Sequence, residues 1–368
     1  MSKSVAQRLT AVFDLAFALT AALNLPWMVG QIARDDSWVT GLCFYIPSFF
    51  LATAFLGFCV VYALCKRWRR CLLAVALFVP PCAFVAFVEN RFSRPEIAAR
   101  PDALSLVHWN VGGKLRRNGT RRVLLSHRAD AYVLSEIDDR ATVQEFRDAL
   151  GGPYQALEFG NMAVVAKGAV RSRGWLLNHH GAKAHSVIWE FAGHSLTLCV
   201  VDLPSNVLIP RAPLLREVVG LIVRERPDLV IGDFNAPRRS RALAALPLGY
   251  QHAYDTAGCG LSYTWPVPFP LYALDQCIHA PRMIPLRYEL LSSIRSDHRR
   301  QVLRFIVGPA QGRPVAPVEV VSSFRNPQRV HGKVPLDFVV ANRPDWRYVK
   351  QWVEPSLTTS ATAPVPTR

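Results

Sequence analysis

Charge is scarce in this sequence, and its absence is concentrated. Only 19% of the residues are charged against 51% hydrophobic, too apolar a balance for an ordinary soluble chain. No residue from 39 to 64 carries a charge, and none from 71 to 88 does. Cysteine is present without its usual architectures. Among the eight Cys there is no CxxC and no dense framework, which argues against structural zinc and a disulfide scaffold. A Cys259–Cys277 bridge stays open for an oxidising compartment. No small-residue cleavage pattern follows the first apolar stretch, so a removable signal peptide is not the reading. No internal repeat is strong enough to use.

What is there begins with the membrane. At about 1.5 Å per residue, an 18-residue run covers roughly 27 Å, enough for the hydrocarbon core of a bilayer. The expectation is a transmembrane segment over 1–89, with helices at about 9–29, 39–64 and 71–88. Asp14 interrupts the first of these and is placed near the headgroups or facing the other helices. Lys66, Arg67, Arg69 and Arg70 make the second connection basic, while the first offers one Arg and two Asp. The basic connection therefore belongs inside, and the rest of the chain outside, on the periplasmic side of a multi-pass cell-membrane protein.

A polar, proline-containing linker covers 90–102. Short apolar runs then alternate with helical patterns over 103–308. Strands are expected at 104–111, 131–137, 162–167, 186–192, 195–203, 273–280 and 298–307, with helices at 121–128 and 213–227. The tail, 309–368, is proline-rich and expected to be partly disordered. The histidines of "NHHGAKAH" (His179, His180, His185) have no carboxylate close by in sequence and read as part of a polar loop. Arginines at 116, 117, 121, 122, 238, 239, 241, 299 and 300 cluster near the polar motifs, where they would attract an anionic substrate or anionic headgroups.

The strands share a habit. Asn110 follows "LVHW", Glu136 follows "AYVLS", and Asp202 follows "LTLCVV". Asp233 and Asn235 follow "DLVIG", Asp275 sits in "YALDQCI", and Asp297 stands beside His298 in "SDHR". Each polar group falls where a strand opens into a loop, the place where α/β folds gather ligands. Any one of them alone is explained as a turn former or helix cap. Together, so many carboxylates in one basin call for a cation, and oxygen donors suit a hard divalent ion such as Mg²⁺.

In order, "HWNVGG", "AYVLSEID", "VVDLPSN", "VIGDFNAP", "SYTWP" with "LDQC", and "SDHR" resemble the endonuclease/exonuclease/phosphatase superfamily over about residues 104–307. The resemblance implies an α/β, four-layer sandwich of two β-sheets flanked by helices, here preceded by about three transmembrane helices. It also implies Mg²⁺-dependent hydrolysis of a phosphate ester, with Mn²⁺ as the alternative ion. By position, Glu136 resembles the main metal ligand, with Asn110 and Asp297 assisting. Asp233 resembles the residue that orients or deprotonates the attacking water, and Asn235 its phosphate-contacting neighbour. His298 resembles the imidazole that binds a non-bridging phosphate oxygen, with Asp275 fixing its orientation. Asp202 stands where many members carry His. It is left to bind a second cation, to orient Arg211, or to hold a proton if its pKa is strongly raised. Trp265 either packs beside substrate or fills the core. The expected protein is a membrane-anchored phosphoesterase, phosphodiester favoured, acting on nucleic acid, a lipid or a small phosphodiester. The alternatives are a nuclease on extracytoplasmic DNA and an inactive membrane protein that binds phosphorylated ligands.

Overall fold

The computed structural model describes residues 3–93, 100–206 and 209–309. The apolar runs at the start become helices α1 (Lys3–Ala22), α2 (Asn24–Ala33), α3 (Trp38–Phe44), α4 (Ser48–Leu64) and α5 (Trp68–Phe84), the last continuing as a π turn, Val85–Glu89. Thr10–Ala33 and Trp68–Glu89 are each long and apolar enough to cross a membrane. The expected single run over 39–64 is broken instead. Helices α3 and α4 meet at a 48° bend, and they make a third span only if the pair is taken as one. Pro47 explains the break, since it has no N–H to donate and pushes Ile46 out of the helical region.

Aromatic rings fill the inside of this bundle. Phe17 meets Phe58 and Tyr62 edge-on at 5.2 and 5.3 Å. Leu15, Leu19, Ile32, Leu56, Leu64, Leu72 and Phe87 stay exposed on the outside. Asp14 faces the other helices: it accepts from Tyr62 Oη and Arg67 Nη1, each at 3.0 Å, and pairs with Arg70. The basic connection is thus tied to α1 by a charge it neutralises.

The rest is the expected sandwich. Its elements are β1 (Leu104–Asn110), α6 (Asn118–Leu125), β2 (Ala131–Ser135), α7 (Arg140–Leu150), β3 (Tyr154–Phe159), β4 (Met162–Lys167), β5 (Ala169–His179), β6 (Ala182–Phe191), β7 (His194–Asp202) and α8 (Arg211–Glu225). There follow β8 (Leu229–Asp233), α9 (Arg241–Ala244), β9 (Gln251–His252), α10 (Ala253–Ala257), β10 (Asp275–His279), β11 (Met283–Leu291) and β12 (Arg300–Val307). Two six-stranded sheets run β11-β12-β1-β2-β4-β3 and β5-β6-β7-β8-β10-β9. Leu106, Val133, Val164, Val187, Leu198, Ile231 and Phe305 pack between them. Their neighbours in sequence point outward, to α6 and α7 on one sheet and to α8 on the other. That alternation is what strands covered on both faces require.

The register explains where the polar residues go. β1 and β2 run parallel with Asn110 opposite Ser135, and β7 and β8 run parallel with Asp202 opposite Asp233. Antiparallel β10 begins with Asp275 opposite Asp233. All these strands meet one edge of the sandwich.

The bundle docks on that same edge. Arg241 N–H donates to Asp35 Oδ1 at 2.6 Å, and Tyr45 Oη donates to the Asn235 carbonyl at 3.2 Å. Glu89 accepts from Ser48 Oγ at 2.9 Å and from Tyr263 Oη at 2.6 Å. The expected linker starts as part of this contact: Ser262 N–H donates to buried Asn90 at 2.7 Å. Residues 94–99 and the expected proline-rich tail from 310 onward lie outside the described residues.

One further expectation is corrected, and one open possibility is resolved. His179 ends β5 and His185 lies within β6, so they sit on a hairpin and not in a loop. His179 also has a carboxylate partner, Glu217 of α8, at 3.0 Å, while buried His185 stacks on Phe159 with ring centroids 4.2 Å apart. Cys259 and Cys277 are free thiols.

Candidate active site

Asp233 ends β8 immediately after Gly232. A side chain at 232 would land on the Val201 carbonyl of the neighbouring strand, so only glycine lets β7 and β8 close up here. Asp233 is buried, and its carboxylate accepts from Asn110 Nδ2 at 2.9 Å and from the Asn235 N–H at 2.8 Å. Asn110 donates from the same amide nitrogen to Glu136 Oε1 at 3.0 Å, so one side chain ties together the ends of β1, β2 and β8. Glu136 and Asn235 both adopt left-handed backbone, φ 53° and 46°. For glutamate that conformation costs energy, and such strain concentrates at functional sites.

Behind Asp233 lies a second pair. Asp275 Oδ2 accepts from His298 Nδ1 at 2.9 Å, and His298 Nε2 faces Asp233 Oδ2 at 3.8 Å. Ser296 Oγ accepts the His298 N–H at 3.0 Å and donates to the Asn110 carbonyl at 2.7 Å, fixing the imidazole relative to β1. Burial opposes charge on His298, but the carboxylates of Asp275, Asp233 and Asp297 outweigh it and raise its pKa to about 10. Burial likewise pushes Asp275 up, and the His298 imidazolium brings it below its ordinary value. Asp233 is raised to about 7, chiefly by burial and then by the Asp275 charge. The pair is therefore an imidazolium held by a carboxylate, next to an acid that titrates near neutrality.

Asp233, Asp275 and His298 offer atoms within 4.8 Å of one another, close enough to ligate one ion. Their chemistry does not fit a cation, because an imidazolium has no lone pair to give. The exposed oxygen donors lie beside this trio. Glu136 and Asp297 are exposed, and Asn110 lies between the buried acid and the opening. A side chain at Gly112 would stand 3.3 Å from Asp297 Oδ1, and the Gly112 N–H donates to Asn110 Oδ1 at 3.0 Å, so Asp297 and Asn110 border the same turn. Carboxylates open to water, with a buried amide beside them, are the oxygen donors that suit Mg²⁺, since it keeps several of its waters.

Asp202 meets neither Arg211 nor the trio. It accepts from Asn161 Nδ2 at 2.8 Å and stands 4.0 Å from Lys183 Nζ. Burial, with the Glu136 and Asp275 charges, raises its pKa. Arg211 instead donates to the carbonyls of Asn206, Ile209 and Asn235, holding the loop between β7 and α8. Asn235 Nδ2 donates to the Leu203 carbonyl at 2.7 Å and keeps a second amide hydrogen to give. Trp265 is partly exposed at the rim and donates from Nε1 to Asp297 Oδ2 at 3.0 Å.

Sequence reasoning missed several supporting residues. Asn161, in the β3–β4 turn, also accepts from Lys183 Nζ at 2.7 Å. Lys114 lies 3.8 Å from Asp297. His108 is fully buried 3.9 Å from Asp275 Oδ1 and is driven neutral by that burial, its pKa falling to about 4. Gln301 Nε2 donates to His108 Nδ1 at 2.8 Å, so the other nitrogen carries the proton toward Ser135 Oγ at 3.2 Å. His108 was in view within "HWNVGG", two positions before Asn110. An alternating strand sends both to the same face, and that was the available signal.

Paired sheets, a buried acid–imidazolium relay and an adjoining open set of oxygen donors define a hydrolase of phosphate esters that works with a metal ion. The model of the Endonuclease/Exonuclease/phosphatase family matches residues 107–298, over half of the sequence, and the chain belongs to that family. Similar solved structures include a humanised Danio rerio TDP2 carrying 14 mutations (22% identity, 55% of this chain, 99% of that chain, TM-score 0.47). Others are a family member from Bacteroides vulgatus (15% identity, 56% and 99%, TM-score 0.44) and a mannosyl-6-phosphatase from Bacteroides thetaiotaomicron (13% identity, 55% and 99%, TM-score 0.44). No curated protein matches the sequence.

Proposed function

We propose that the protein is a membrane-anchored, Mg²⁺-dependent phosphoesterase that cleaves a phosphodiester by in-line attack of water. In this reading residues 1–89 anchor it, the sandwich over 103–308 carries the reaction, and the reaction takes place outside the cytoplasm. Glu136, Asn110 and Asp297 hold Mg²⁺, or Mn²⁺ in its place. When bound, the ion supplies positive charge against the phosphoryl oxygens and acidifies water. Asp233, with a pKa near 7, orients the attacking water and takes its proton. His298 grips a non-bridging oxygen as an imidazolium, and Asp275 keeps it charged and aimed. Asn235 contacts the phosphate through the second hydrogen of its amide nitrogen, the first being given to the Leu203 carbonyl. Asp202, its pKa raised, is the group left to protonate the departing oxygen.

The observation that carries this reading is the double role of Asn110, whose amide nitrogen donates to Glu136 Oε1 and Asp233 Oδ2 at once. It couples the metal side to the water side with no loose joint, as catalysis by positioning and electrostatics demands. The nuclease alternative drew its support from the arginines, and most are already engaged. Arg116 and Arg121 pair with Asp139 and Glu145, Arg238 with Asp255, and Arg241 with Asp36. Arg299 donates to three carbonyls and Arg300 to His127.

The test is full-length protein in detergent, given a soluble phosphodiester, a phosphomonoester and plasmid DNA, each with Mg²⁺ or EDTA. Diester turnover that EDTA abolishes and Asp233→Asn reduces by about 10²-fold or more is expected. Ligand binding without turnover of any substrate would establish the inactive alternative instead.

A further inference from the structure

Between Trp265 and Tyr272 the chain makes a closed loop. Trp265 N–H donates to the Tyr272 carbonyl at 3.0 Å, Tyr272 N–H returns to the Trp265 carbonyl at 2.9 Å, and the two rings sit 6.0 Å apart. The residues between are Pro266, Val267, Pro268, Phe269, Pro270 and Leu271, which contain no charge and no polar side chain. Such a loop has little to offer water, and its tip, Phe269, is 79% exposed.

The two feet of this loop stand on different things. One is on the site: Trp265 Nε1 donates to Asp297 Oδ2 at 3.0 Å, and Val267 N–H to the Asp297 carbonyl at 2.7 Å. The other is on the helical bundle: Tyr272 Oη donates to the Tyr45 carbonyl at 3.0 Å, at the corner between α3 and α4. Phe269 is three residues from Tyr272, hence within about 11 Å of it. Three residues before Asp297 in sequence, Ile294 is 86% exposed. Single exposed apolar residues are ordinary. Two of them on loops that carry or contact one candidate metal ligand, one of the loops resting on a bundle with an apolar exterior, are not.

From this placement, and resting on the membrane-anchored phosphoesterase reading, we propose that the loop Pro266–Leu271 is a lip seated in the lipid surface. The site then takes a phosphate ester carried by a lipid of that same bilayer. The bundle docks on the strand ends that form the site, so the opening lies close to the membrane plane. Phe269 and Ile294 enter the acyl boundary there, as aromatic and aliphatic side chains of interfacial segments do. Three prolines restrict the loop's backbone, so little order is lost when it inserts. A lipid brings its phosphate to the depth at which His298 and the oxygen donors stand, while its chains remain in the bilayer.

The experiment uses full-length protein reconstituted in vesicles of phosphatidylcholine and phosphatidylglycerol with Mg²⁺, and compares release from the vesicle phospholipid with turnover of bis(p-nitrophenyl) phosphate. The double variant Phe269→Ser/Ile294→Ser is expected to lose about tenfold or more on vesicle lipid, the equivalent of one apolar side chain removed from a buried setting. Its turnover of the soluble diester stays at the wild-type rate. Phe269→Leu, which keeps the apolar tip, retains lipid turnover. Equal losses on both substrates, or no loss on lipid, would overturn the proposal. So would wild-type protein that cleaves the soluble diester and leaves the lipid untouched. If wild type cleaves neither, the phosphoesterase reading falls, and the lipid substrate falls with it.

Discussion

The two halves of the candidate site stand at the same strand ends yet live in different solvents. Asp233, Asp275 and His298 are sealed, whereas Glu136 and Asp297 are open to water. In the sealed half, charges interact strongly and shift one another's pKa values; an acid near neutrality and a permanent imidazolium result. In the open half, carboxylates remain available to an ion that keeps its own waters. One edge of one fold thus offers both proton chemistry and cation binding, and burial is what separates them. Asn110, buried but bonded to both halves, is the joint.

The sharpest way to break this contrast is to neutralise one residue in each half. His298→Gln is expected to reduce diester turnover by about 10²- to 10⁴-fold at any Mg²⁺ concentration, because the lost group acts on protons and phosphate charge. Glu136→Gln should instead raise the Mg²⁺ needed for half-maximal turnover by about 10- to 100-fold, with excess ion restoring part of the rate. Mg²⁺ titrations of initial rates decide it. If excess Mg²⁺ rescues His298→Gln and fails to rescue Glu136→Gln, the halves have been assigned the wrong way round.

The sequence displayed the members of both halves more clearly than their division. Asn110, Glu136 and Asp233 were visible because an apolar strand that ends on a polar residue violates its own pattern, and Asp275 because it interrupts the run "YALDQCI". Nothing local distinguishes the buried Asp233 from the exposed Asp297, since burial depends on which loops close over each. Asn161 escaped notice because it lies in a turn, where asparagine is expected anyway, and its partner Asp202 is 41 positions away. Strand β5 was missed for a related reason: most of its side chains are exposed or half-exposed, so it shows no alternation. The contacts between bundle and sandwich were equally hidden. Tyr45 and Asn235 are 190 positions apart, and a tyrosine inside the apolar run 39–64 points to no particular partner.

A second prediction probes the sealed half alone, through the stability of protein freed of metal with EDTA. His298 has a folded pKa near 10 and an unfolded value near 6.5. Its contribution is therefore complete below about pH 6.5 and is lost as the pH climbs through 10, because the folded state then surrenders a proton that the unfolded state gave up earlier. The reference is the all-neutral triple variant Asp233→Asn/Asp275→Asn/His298→Gln. Thermal melts between pH 8 and pH 10, above the range in which Asp233 titrates, should show wild type losing several degrees more than this reference. Parallel pH profiles would mean that His298 is not held as an imidazolium.

The smallest expected effect concerns the joint between bundle and site. Tyr45 Oη donates to the carbonyl of Asn235, the residue whose N–H positions Asp233, and Tyr272 in turn donates to the Tyr45 carbonyl. Through the Tyr45 hydroxyl the bundle thereby braces the loop that shapes the sealed half, while its contact through the Tyr45 carbonyl leads by Tyr272 and Trp265 to Asp297 of the open half. Tyr45→Phe keeps the ring and removes one hydrogen bond, worth about 1 kcal/mol, so kcat should fall by about fivefold. KM and the Mg²⁺ requirement should not move, because the phosphate and metal contacts are intact. Tyr45→Phe with unchanged kcat would reduce the bundle to a tether. A shift in KM or in the Mg²⁺ requirement with kcat intact would move its influence to the open half, which the bundle reaches through Tyr272 and Trp265.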